Sequence, residues 1–320
     1  MRKNKLKIVA IIIFSFILLP LGLLIGNINI PLKDFFTEKY SFIIWNIRFP
    51  RTVGSFLGGA ALSISGLILQ ILFSNPLAGP FVLGISSASL VGAILVIFIF
   101  TVPSFFTLSI FSIIFSFLMI LVVLFFAKRL QKKESILIIG IMIGYFLSAL
   151  INIIIYFAPA KEVKDFHIWI LGSFARLPID VIPFYSLVIL SLLIFTLFLI
   201  KPLNAFQMGE VYANVIGIDT SKYLYIFVLI SSILTAIVTS FAGPIAFIGL
   251  ASPHIARYIF DSVDNKIIVT ATIFIGGNLL LLCDILSRII LPPNDIPVGL
   301  VTSLLGAPIV VLLIWRNINK

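Results

Sequence analysis

The side chains able to bind, relay or catalyse are scarce in this chain, and most stand alone. There are two histidines, His167 and His254, and one cysteine, Cys283. A single thiol excludes an intramolecular disulfide, and two distant histidines, one in a predicted loop, do not make a metal set. His254 reads as a hydrogen-bonded packing residue and Cys283 as a small buried hydrophobe. Asp284 falls in an apolar stretch, where a carboxylate is a functional candidate by default. Arg288 follows four residues later on the same helical face, so an ion pair between the two is the simpler account. No nucleophile has a base and an orienting partner in a credible arrangement. The chain also lacks a G-x-x-x-x-G-K-[ST] phosphate loop, so any nucleotide must be bound elsewhere.

Two further cations, Arg48 and Arg51, bracket Phe49-Pro50. Proline fixes its own φ and biases the preceding residue toward extended backbone, which would hold the pair at a defined helix entrance. Two readings fit them: interfacial anchors, or a cationic docking point for an acidic soluble partner, which Arg288 would join. The apolar run that follows has small residues at four-residue spacing, Gly54 with Gly58 and Ser55 with Gly59 and Ser63. That spacing lets helices approach closely in lipid. Ser65, Gly66 and Gln70 extend the same polar, small face, for which tight packing and the lining of a path are both open. Asn75-Pro76-Leu77-Ala78-Gly79-Pro80 then breaks the helix twice.

These residues must be held by membrane helices. The composition is 61% hydrophobic and 11% charged, whereas soluble domains carry about 25% charged residues. A span needs roughly 20 apolar residues, and apolar runs lie near 8–26, 52–73, 83–101, 105–127, 136–157, 181–200, 223–242, 244–260, 267–290 and 297–315. The reading is an all-α polytopic membrane protein of about ten transmembrane helices, one domain over residues 1–320. The least marked breaks are Val102-Pro103-Ser104 and Gly243. The first run is too long for a signal h-region and lacks an A-x-A-like site, so it is read as a retained helix.

With ten spans the termini share a side. That side carries fourteen of the 22 lysines and arginines, which places both termini in the cytoplasm. Positive-inside bias also accounts for most of the +10 net charge without nucleic acid. The second to fifth and seventh to tenth runs are offset by five, and an odd offset makes any repeat between them an inverted one. The longest loop on the terminal side is 201–222. Within it Gly209–Gly217 fits a short helix, with Glu210 in its first turn and glycine at its end.

In order and spacing, these motifs resemble the permease subunits of ABC importers for iron chelates, haem and cobalamin, the FecCD family. The residues that carry the resemblance are Arg48–Ser87, Trp169-Ile170-Leu171-Gly172-Ser173, the run Gly243–Arg257, Ile296-Pro297-Val298-Gly299, and Leu305-Gly306-Ala307-Pro308. The match departs at Ala88-Ser89, where many members have Gly-Ala. The resemblance implies a type II ABC importer permease fold in the cell (cytoplasmic or inner) membrane. It also implies a homodimer, or a heterodimer with a paralogue, with the pathway at its interface. Separate ABC ATPase subunits would drive it, and a periplasmic or lipid-anchored binding protein would deliver the cargo. Arg48, Arg51 and Arg288 match the family's arginines that meet glutamates on the binding protein. Ser65, Gly66 and Gln70 match the helix beside the path, and Gly209, Glu210, Ala213 and Gly217 match the helix that seats in the ATPase. No cofactor and no enzymatic chemistry of its own are expected. The rival reading is a stand-alone ion-coupled transporter with Asp284 and His254 as a relay.

Overall fold

A computed structural model describes residues 2–28, 30–31, 37–99, 104–130 and 133–318. The break at Val102-Pro103 and three of the charges counted above, Lys33, Lys132 and Lys320, lie outside the described residues. Each of the ten apolar runs coincides with a helix, and no strand occurs among the described residues. In chain order the helices are α1 (Arg2–Leu24), α2 (Glu38–Phe42), α3 (Phe49–Leu72), α4 (Ile85–Ile99), α5 (Phe105–Arg129), α6 (Lys133–Tyr156) and α7 (Ala160–Ile170). They continue with α8 (Ile182–Phe198), α9 (Ile200–Gln207), α10 (Glu210–Val215), α11 (Thr220–Ala242), α12 (Ile248–Phe260), α13 (Asn265–Ile289) and α14 (Val298–Ile318).

Length qualifies the span count. Among the described residues, seven helical stretches are long and apolar enough to cross a membrane: α1, the stretch from α2 through α3, α5, α6, α8, α11 and α13. Helix α4 has only 15 residues and α12 only 13, whereas α14 runs for 21. The third and eighth runs, which the five-run offset pairs, are thus both short. Each follows non-helical backbone: the turn and 3-10 segment ending at Leu83 before α4, and residues 243–247 before α12. Irregular backbone at membrane depth is tolerated where protein encloses it.

The segment before α3 departs from expectation. Phe49 is helical, with φ −63° and ψ −53°, not extended. Residues Ile43–Arg48 form a π-helical turn in which the Phe49 amide donates to the Ile44 carbonyl, five residues back. A π turn shifts the hydrogen-bond ladder by one residue and so accommodates Pro50, which has no N–H to continue an α ladder.

The chain forms two compact units, interleaved in sequence. One comprises residues 1–64, 172–197 and 245–320; the other comprises 65–171 and 198–244. In the first, α13 packs against α1, α12 and α14, and Leu18, Leu281 and Ile285 form a small apolar core. The predicted close approach along α3 is real. A Cβ on Gly59 would lie 2.2 Å from the Gly276 carbonyl oxygen of α13, so only glycine fits. In the second unit, α5 packs against α4 and α11, and Val91, Ile94, Leu108, Ile151 and Phe166 share a core. Large apolar side chains point outward along the long helices, among them Phe16, Phe117, Leu187 and Leu304. Such a surface suits lipid, not water.

Candidate functional sites

A charge network occupies the N-terminal end of α3. Arg48, Arg51 and Arg288 are all buried; their guanidiniums turn inward instead of standing out as free docking charges. Helix α1 ends at Leu24 and leaves its last carbonyls without intrahelical partners. Arg48 Nη1 donates to the carbonyls of Leu23 (3.0 Å) and Leu24 (2.6 Å), and its Nη2 to that of Ile28. Arg288 Nη1 donates to the Gly22 carbonyl at 2.7 Å, and the Ile25 amide takes that of Leu21. All four terminal carbonyls are therefore satisfied, and two cations sit where the helix dipole favours them.

The carboxylates hold these arginines in place. Asp284 accepts from Arg51 Nε at 2.8 Å through Oδ1 and from Arg288 Nε at 3.1 Å through Oδ2, which also takes Arg288 Nη2. The expected Asp284–Arg288 pairing one helical turn apart is present. Arg51 also bridges to Asp295 and donates to Ser287 Oγ, and Asn27 Nδ2 donates to Asp295. Two guanidiniums, Arg51 and Arg288, thus meet carboxylates, while Arg48 caps carbonyls, and the three arginines and two aspartates together carry an excess of one positive charge. The three arginines and Asp295 line a cavity of about 380 Å³ whose apolar wall includes Phe42, Ile43 and Ile47.

Asp295 was missed in the sequence. It lies among prolines near the start of α14, and simple charge counting could have found it, because one buried carboxylate cannot balance three arginines.

The residues expected to line a path lie on α3. Ser65, Gly66 and Gln70 are all buried within this chain. Ser65 Oγ meets the Ser231 hydroxyl at 2.7 Å and the Thr235 hydroxyl at 2.8 Å, both on α11. Residues 57–72 of α3 are buried within this chain, and Ser65 joins that helix to α11. The small, polar face allowed both close packing and a path lining, and the Ser65 contact with α11 is a packing contact.

The predicted short loop helix exists as α10. Gly209 precedes it with φ +105° and Gly217 follows with φ +81°, and a Cβ at either would meet nothing within 4 Å. Left-handed backbone, not crowding, explains both glycines. Ala213 is buried, whereas Val211 and Val215 are each 80% exposed, and Met208 and Ile216 are exposed beside them. Glu210 Oε1 lies 3.8 Å from Lys133 Nζ.

The motif Gly172-Ser173 and the Pro297–Gly299 turn also meet, because the Gly299 amide donates to the Gly172 carbonyl. Residues 11–316 of the chain match the FecCD transport family.

The chain belongs to the FecCD transport family.

This FecCD permease is 31% identical over 317 residues to the vitamin B12 import system permease protein BtuC of Shigella boydii, across 98% of this chain and 96% of the relative. It is also 31% identical over 318 residues to the same-named protein of Klebsiella pneumoniae, across 99% and 95%. A solved metal-chelate type ABC transporter in an inward-facing conformation superimposes with a TM-score of 0.86 at 25% identity, covering 98% of this chain and 99% of that one. PsaBC from Streptococcus pneumoniae, solved with a Fab, shares the fold with a TM-score of 0.57 at 18% identity, covering 82% and 89%. The FecCD protein described here is thus a multi-pass permease subunit of the ABC importer type.

Proposed function

We propose that this permease imports a metal chelate or cobalamin across the inner membrane by alternating access, driven by separate ATPase subunits. The observation that carries this reading is the full-length correspondence with relatives named as vitamin B12 permeases and with a metal-chelate type ABC transporter. Both termini and α10 lie on the cytoplasmic side. There the exposed Met208, Val211, Val215 and Ile216 form an apolar surface of the kind a partner covers, and we assign it to the ATPase. Glu210, Ala213 and the flanking Gly209 and Gly217 set its orientation.

Because Ser65, Gly66 and Gln70 are enclosed, we place the path between two permease copies, identical or paralogous. A path bordered by those three would require helices of one subunit to part.

The Arg48, Arg51 and Arg288 cluster serves docking through its cleft. A carboxylate on a soluble binding protein supplies the negative charge that the cluster lacks, contributing orientation more than affinity.

The decisive experiment reconstitutes the permease with its ATPase and binding protein in liposomes. Cobalamin, haem and ferric siderophores are then compared for binding to the soluble protein and for ATP-dependent uptake. Uptake on a proton or sodium gradient without the ATPase would overturn the proposal in favour of an ion-coupled transporter.

A further inference from the structure

We infer that Lys133 is a positioning residue that links α10 to α6 and to the end of α3. The inference rests on the reading of α10 as the ATPase contact. Three segments distant in sequence converge on this one ammonium group. Lys133 opens α6, and its Nζ lies 3.8 Å from Glu210 Oε1 in the first turn of α10. The same Nζ donates to Ser74 Oγ at 3.2 Å. Ser74 has left-handed backbone, φ +48°, just past the end of α3, and the Asn75 side chain fixes the turn by accepting from the Leu77 amide at 2.9 Å.

Lys133 stands beside Glu134 in α6, and two adjacent residues do not face each other on a helix. Its position is accounted for by what it reaches. The lysine side chain is 12% exposed and the glutamate 38%, which leaves a pair partly shielded from water yet able to separate.

What it would move is also apparent. Only 11% of the apolar window of α6 is buried, the lowest share among the spans, so its own subunit restrains it least. Further along, Gly140 of α6 sits against the Val82 carbonyl and Leu83 of the 3-10 segment before α4. A displacement of α10 therefore has a route through Glu210 and Lys133 into α6, and through Ser74 into the turn after α3.

The test uses the complete transporter in nanodiscs or liposomes and reads cargo moved per ATP hydrolysed. Lys133→Met and Glu210→Gln should each lower that ratio by roughly two- to fivefold, the range expected for a partly exposed ion pair. The exchange Lys133→Glu with Glu210→Lys should restore a substantial part of it. A purely structural lysine would lower folded yield instead, without rescue by the exchange. Wild-type ratios in both single variants would overturn the inference.

A second measurement separates the two readings. Val215→Cys is cross-linked to the ATPase with a thiol–amine reagent, which is selective because the native Cys283 is buried. A cross-link with unaffected ratios removes the role of Lys133 alone. No cross-link removes α10 as the contact, and the inference with it.

Discussion

Replacing Asp284 with asparagine keeps the shape of the side chain and removes the charge that two guanidiniums share. The carboxylate is fully enclosed, and the side chains of Arg51 and Arg288 are 6% and 2% exposed. After the change, two buried cations face each other with Asp295 as the remaining counter-charge, and that residue's side chain is 31% exposed. Breaking a buried pair by removing one partner costs about 3–5 kcal/mol, far above the ~1 kcal/mol ceiling of an exposed pair. For a chain of this length that corresponds to a fall of roughly 5–10 °C in melting temperature. Thermal unfolding of the detergent-purified protein measures it. Asp295→Asn should cost much less, about 1 kcal/mol, because water reaches that carboxylate. Asp284→Asn combined with Arg288→Met should recover part of the loss by removing one stranded cation, even though the Gly22 carbonyl loses its cap. A double variant as unstable as the sum of its parts, or Asp295→Asn as damaging as Asp284→Asn, would refute the reasoning.

Other consequences can be checked directly. Gly217→Val places a β-branched residue at φ +81° in open space, costing about 1–2 kcal/mol of local strain without a clash. The protein should fold while ATP-driven uptake falls; wild-type uptake would count against α10 as the coupling element. Gly59→Ala drives a methyl into the Gly276 carbonyl and should cost about 1–3 kcal/mol in thermal stability. Asp295→Asn should free Arg51 for an incoming carboxylate and tighten docking of the binding protein, measured by surface plasmon resonance. The gain should shrink as salt rises, since screening shortens the reach of exposed charge.

The fold was legible to the extent that hydrophobic length governs it. Every apolar run became a helix because lipid leaves the backbone no other partner for its hydrogen bonds. Gly243 proved a true break, with φ +75°, followed by Phe247 at φ +67°. Helix length was less legible, because α12 is short for reasons of local backbone conformation that hydropathy does not carry.

At the site, Asp284 and Arg288 were readable as a pair because both belong to one helical turn. Their contacts with Arg51, Asn27 and Asp295 depend on tertiary packing, which spacing cannot reveal. The same limit explains Phe49. The local rule for a residue before proline held only until a π turn supplied another way past the ring. Ser65 shows the converse, since a small polar face reads alike whether it meets a channel or another helix.

The two charge clusters differ in a way that assigns them different work. Around Asp284 every partner is buried, and breaking one contact costs several kcal/mol, comparable with a sizeable part of a domain's whole stability. Such a network resists motion and suits the end of α1 and the entrance of α3, where position must be kept. Lys133 and Glu210 are 3.8 Å apart and partly hydrated, so their separation costs about 1 kcal/mol or less. An element that must change partners during each transport cycle needs a contact of that order. A buried pair there would lock α10 against α6, and a fully solvated pair would transmit nothing. Within this chain, therefore, strength of pairing separates the charges that hold from those that can move. On that ground the weaker pair, not the stronger, is the better place to look for the transmission of work.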